Sequence, residues 1–193
     1  MTISQALNIE SSEFDNLCTY FTDELKNPNN WTYPVTNFGI DEVEILHKKY
    51  TLWKNIKKGN NIGRYAGTNS GQVLLLGEDI EQNGVDPTQP PIFVDVDDDE
   101  TITGDHRGET SGNLGIRGWM AQFVRINEKD PIKRAWIKKR LAKALNNTRM
   151  FNQLNNSPED IKEHIQFGIK NGHLTSQSQI EDEIRFQSNN SLT

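Results

Sequence analysis

An α+β fold is predicted, with a small β-sheet in the middle of the chain and helical extensions on its N-terminal and C-terminal sides. Three observations carry this. The β-branched and aromatic run Ile92-Phe93-Val94 is followed by the turn Asp97-Asp98-Asp99 and a second short run, Thr101-Ile102-Thr103, which is the pattern of a hairpin. Two helix-start signals, Asp130-Pro131 and Ser157-Pro158, each lead into an apolar stripe at helical spacing. The chain has 193 residues, 34% of them hydrophobic, enough for one modest core surrounded by well-solvated helices.

The same composition excludes several classes. Lys and Arg number 21 against 27 Asp and Glu, a formal net charge of −6. That balance argues against a protein whose whole surface grips nucleic acid, and leaves room for a local basic face. Mean hydropathy is −0.73, and no window approaches the ~18–20 apolar residues of a spanning helix, so no membrane partner is expected. Met1–Glu10 lacks the basic-then-apolar order of a secretory leader. The single cysteine, Cys18, excludes an internal disulfide framework. The expectation is a soluble cytoplasmic protein.

The elements follow in order. Ser11 to Lys26 reads as an amphipathic helix with Phe14, Leu17, Cys18, Phe21 and Leu25 on one face, Cys18 being a small buried hydrophobe, and Asn27-Pro28 stops it. Asp41 to Lys58 reads as a second helix, with Val43, Leu46, Tyr50 and Trp53 on one face and charges that match the helix dipole at both ends. His47 falls off its stripe and is expected in solvent. Residues 62–69 form a loop, and Ser70 to Asn83 is a helix ended by Gly84. Strands are expected at Ile92–Val96, Glu100–Thr103 and Trp119–Ile126. A short helix up to Leu114 precedes the last of these, weakened by Gly108 and Gly112. Helices from Pro131, from Pro158 to Gly172 and over Gln179–Phe186 complete the chain, with a frayed tail from Gln187. The expected divisions are 1–69, 70–127 and 128–193.

Two stretches could carry chemistry. Gly104-Asp105-His106-Arg107 lies at a strand-to-helix junction, where free helix N–H groups cradle a phosphate. Arg107 can fork onto phosphate oxygens, His106 can move a proton near neutral pH, and Asp105 can bind a metal or orient a water. An equally weighted reading makes Asp105 a helix cap and pairs Arg107 with neighbouring acids. Asp97, Asp98 and Asp99 read first as a solvated turn, although acids here can also supply hard oxygen ligands. The second stretch, Arg125 to Arg149, carries nine basic residues, among them Lys133, Arg134, Lys138, Lys139 and Arg140, against Glu128 and Asp130. It reads either as a solvated amphipathic helix or as a face for nucleic-acid phosphates.

The order of elements around the first stretch resembles the ParB/sulfiredoxin-like superfamily, implying a small mixed sheet of that type. The resemblance rests on Ile80…Gly84 at a helix end, Pro91-Ile92-Phe93-Val94, Gly104-Asp105-His106-Arg107 and Leu114-Gly115 before a strand, and spans about Gln72 to Asn127. Sulfiredoxins carry a catalytic Cys before His-Arg, where this chain has Asp105. ParB partition proteins continue Arg-x-x-Ala and add a helix-turn-helix, where this chain has Arg107-Gly108-Glu109-Thr110. The resemblance therefore points to ParB-like nucleases, common in phages and mobile elements, acting on DNA in a bacterial or phage-infected cell. It implies a phosphate site at Gly104, Arg107, Gly108, Thr110 and Ser111, catalysis by Asp105, His106 and Arg107, and a divalent metal, Mg or Mn, on Asp95 and Asp105. The helix carrying Lys133, Arg134, Lys138, Lys139 and Arg140 would grip the DNA backbone. The alternatives are a non-catalytic adaptor binding DNA or a nucleotide, and a small-molecule kinase using Glu78 or Glu81 as base.

Overall fold

The computed structural model describes residues 20–33, 39–58, 70–147 and 158–189. The described residues contain β1 (Val43–Leu52), α1 (Ser70–Asn83), β2 (Ile92–Asp95), β3 (Glu100–Thr103), α2 (Asp105–Leu114), β4 (Gly118–Ile126), α3 (Pro131–Asn147), α4 (Pro158–Lys170) and α5 (Gln177–Asn189). They fall into two compact units. One contains residues 20–33, 45–58 and 70–125, and the other 39–44, 126–147 and 158–189. No described helix is long and apolar enough to cross a membrane.

The first unit holds a mixed four-stranded sheet in the order β1-β4-β2-β3. Central β2 pairs antiparallel with β3 (Val94 opposite Thr101) and parallel with β4 (Ile92 opposite Ala121). All four residues of β2 are buried, so both its faces are covered, which is why it reads as an unbroken apolar run rather than an alternation. Ile92, Val94, Met120, Ala121 and Phe123 meet Ile80 of α1, Ile116, Tyr50 and Phe21 in one core. Phe21 stands edge-on to Trp119 at 5.4 Å, an arrangement that places a ring's positive edge against a negative face. Burying one such side chain stabilises the fold by about 1.5–3 kcal/mol.

The region around Asp41–Lys58 corrects the sequence reading, because it is a strand and not a helix. Leu46, Lys48, Tyr50 and Leu52 point inward to varying depth while His47 and Lys49 are exposed, a period of two. The alternation is disguised by Lys48, whose ammonium donates to the carbonyls of Trp31 (3.3 Å) and Tyr33 (3.0 Å). Burial holds that ammonium below its usual pKa range. The expected first helix lies outside the described residues up to residue 19, Cys18 included, and its end forms only a 3-10 turn, Asp23–Lys26. After β1 the 3-10 turn Trp53–Asn55 carries the chain to Lys57, which bridges Glu100 at the start of β3. The sheet is thus curled, with the chain that leaves one edge strand bonded to the other.

In the second unit α3 starts as expected, the Asp130 carboxylate accepting from the Lys133 N–H at 3.2 Å. Of the stripe the sequence offers, Ile132, Trp136, Ile137, Leu141 and Leu145, the last four are buried and Ile132 is exposed. The last helix is longer than expected. Gln187, placed in a frayed tail by the sequence, is fully buried, and its amide donates to Glu183 at 2.9 Å. Satisfying that buried carboxylate gives the extra turn a reason to form.

Candidate functional site: the motif helix and its cleft

Gly104 precedes α2 with φ 121, and a Cβ there would lie 2.4 Å from the Ile92 Cγ2. Only glycine permits that backbone and that approach, so the junction read from the sequence is built as expected. The side chains that follow are placed differently. His106 and Arg107 are 8% and 6% exposed. Arg107 donates through Nη1 to the Pro90 carbonyl and through Nη2 to the Pro91 carbonyl at 3.3 Å. Its fork, expected on a phosphate, is committed to two backbone oxygens of the connector. Thr110 donates to the Val73 carbonyl of α1 at 3.3 Å, and Ser111 is fully buried. Arg107 and Thr110 therefore tie α2 to backbone oxygens of its neighbours, while the buried Ser111 hydroxyl has no hydrogen-bond partner among the described residues, and the Asp105 side chain lies outside what is described.

What opens beside α2 is a cleft of about 270 Å3 lined by Leu52, Trp53, Lys54, Gly108, Gly112, Ile116 and Arg117. Gly108 and Gly112 are one turn apart on a single helix face, so the wall they form is bare backbone. A Cβ on Gly108 would touch the Trp53 ring at 3.4 Å, whereas one on Gly112 would meet nothing within 4 Å. The Trp53 backbone N–H donates to the Arg117 carbonyl at 2.9 Å, which brings Lys54 and Arg117 together at the rim, both exposed. A flat indole, a helix wall without side chains and two cations suit a ligand with an aromatic part and an anionic part. Sequence reasoning missed Trp53, Lys54 and Arg117. The available signal was the Gly108/Gly112 spacing, read as a weakness of the helix with Gly108 alone assigned to a phosphate site.

Asp95 is fully buried, and its Oδ1 accepts from the Asp97 N–H at 3.0 Å, a local turn that leaves it facing inward. Asp97 pairs with Arg125 at 3.3 Å. No three His, Cys, Asp or Glu side chains converge among the described residues. Glu78 and Glu81 are exposed on α1, outside the residues lining the cleft.

The basic stretch on α3 is largely engaged within its own unit. Arg140 binds Glu183 (Nε to Oε2 2.7 Å) and lies over the Phe186 ring at 4.4 Å. Arg134 donates to the Ile126 carbonyl at 2.6 Å, Lys133 pairs with Glu128 at 3.7 Å, and Lys138 is buried. Lys139 is half-buried. Lys138 is thus withdrawn from solvent, and Arg140, half-buried like Lys139, is committed to Glu183. The Glu183 carboxylate also receives the imidazole of fully buried His164 at 3.1 Å, and that ring stacks on Trp136 with centroids 4.7 Å apart. Burial pushes the Glu183 carboxyl up, but the hydrogen bonds from His164 and Gln187 and the Arg140 charge together bring it below the usual carboxylate range.

This sheet order, with a glycine-led helix between β3 and β4, defines the class: the chain has a ParB-like α+β fold. It is similar to the solved structure of a Pnob8-like ParB-N domain, with a TM-score of 0.54 and 13% sequence identity over 79% of this chain. The match spans 66% of that domain's chain. No protein-family model matches the chain, and no curated protein matches it.

Proposed function

We propose that this chain is a ParB-like module that binds DNA or a nucleotide without cleaving it, and that the cleft beside α2 receives the phosphate-bearing ligand. The observation that carries the reading is the convergence of Trp53, Lys54 and Arg117 on the bare Gly108–Gly112 face. An indole stacks a base in any sequence, and two exposed cations attract phosphate without needing a metal. The similar ParB-N domain supports a nucleic-acid setting. Hydrolysis by Asp105, His106 and Arg107 with Mg or Mn on Asp95 and Asp105 is the competing proposal. The burial of Asp95 and the engagement of Arg107 by two carbonyls weigh against it.

The experiment pairs thermal-shift measurements over a nucleotide series and a DNA duplex with a plasmid-nicking assay in Mg and Mn. Stabilisation by ligand without nicking, lost in Lys54→Ala and Arg117→Ala, is expected. Nicking that disappears in His106→Ala and persists in Lys54→Ala would replace this reading with the nuclease.

A further inference from the structure

A second cavity in the sheet unit, of about 310 Å3, shares Leu52 with the α2 cleft but is otherwise built from different residues. Its floor is apolar, from Ile56, Val96 and Phe123, and its rim carries both signs of charge in Lys49 and Asp99. His47 lies stacked on Phe123, with centroids 5.1 Å apart and planes 22° apart, and is itself exposed. The pair makes an aromatic step onto which a further flat ring can stack. Asp99 is the single non-glycine among the described residues with positive φ, 50°, and its carbonyl accepts from the Lys57 N–H at 2.7 Å. The bridge that curls the sheet thus fixes where Asp99 stands. A carboxylate at such a rim accepts from the amino edge of a base, and an exposed lysine meets a phosphate. The volume lies at the small end of ligand pockets, which fits one base and its sugar.

We propose that this cavity is a nucleotide site separate from the α2 cleft, taking one unpaired amino-bearing base, adenine or cytosine, on the His47–Phe123 step. Lys49 meets the phosphate and Asp99 the amino group. The site does not depend on the function assigned to the cleft.

The test titrates the full chain with AMP, CMP and UMP, and with a short single-stranded oligodeoxynucleotide, following backbone amide shifts by NMR. AMP and CMP are expected to shift the amides of His47, Lys49, Asp99 and Phe123, and His47→Ala or Lys49→Ala to weaken binding roughly tenfold each. Asp99→Asn keeps a residue that tolerates the left-handed backbone, and weakens AMP and CMP but not UMP. Gly112→Leu, which fills the other cleft, leaves these shifts in place, so loss of one site is told from loss of the other. Tighter binding of the oligonucleotide than of the mononucleotides identifies a strand as the source, and equal binding a free nucleotide. The proposal is overturned by shifts confined to residues of the α2 cleft, by no shift with ligand in large excess, or by affinities indifferent to His47→Ala, Lys49→Ala and Asp99→Asn alike.

Discussion

Arg107 shows how a residue type can signal one role and perform another. Its guanidinium holds the Pro90 and Pro91 carbonyls, which lie in a connector where proline supplies no backbone donor of its own. Arg107→Ala is expected to lower stability by about 2–3 kcal/mol, seen as a fall in the urea midpoint, because it strips a charged donor from two carbonyls. Loss of ligand binding in that variant would therefore report on folding first. Gly104→Ala is expected to cost about 3 kcal/mol in the same measurement, from a left-handed φ and a methyl driven into Ile92. Glu183 gives a pH dependence. Its folded pKa lies below the ordinary 4.5, so the folded state binds fewer protons than the unfolded one in that range. Its contribution is complete above about pH 4.5 and is lost as pH falls through the folded value. Urea midpoints measured down the acid limb should fall more steeply for the parent chain than for Glu183→Gln. Parallel slopes would show that the carboxylate does not carry this effect.

At the scale of elements, punctuation was legible and periodicity was ambiguous. Gly84, Gly115, Gly172 and the two X-Pro starts bound α1 to α4 nearly where they were read, because caps and breakers act locally. β1 was not legible. Val43, Leu46, Tyr50 and Trp53 are spaced as a helix face, and the strand's inward set contains a lysine that sequence reading assigns to solvent. Misreading β1 also hid the cleft, since Trp53 and Lys54 follow directly from its end. The Gly-Asp-His-Arg junction was found, but the direction the Arg107 side chain takes depends on the Pro90-Pro91 carbonyls, which only the fold brings to it. The two glycines of α2 make a prediction with opposite signs. Gly112→Ala should raise stability by up to about 1 kcal/mol, since a helical glycine is replaced where nothing is in the way. It should also weaken nucleotide binding, read by thermal shift with and without ligand.

For the whole molecule, charge sets the terms of any encounter with a polyanion. A chain of net charge −6 gains nothing from long-range attraction, so binding must come from a few cations at close range. The slope of log affinity against log salt should be shallow, and Lys54→Ala or Arg117→Ala should each reduce it by about one unit. A steep slope unaffected by either would place the contact elsewhere on the surface. The Lys57–Glu100 bridge has one more consequence, for self-association. A hydrogen-bonding edge like that of β3 invites a foreign strand to add on, the first step of templated aggregation. Here the edge is only four residues long, and its start is already taken by the chain's own backbone, with a lysine at the contact. A crowded or partly heated sample should for this reason lose solubility through some other segment before neighbouring copies zip together along the β3 edge.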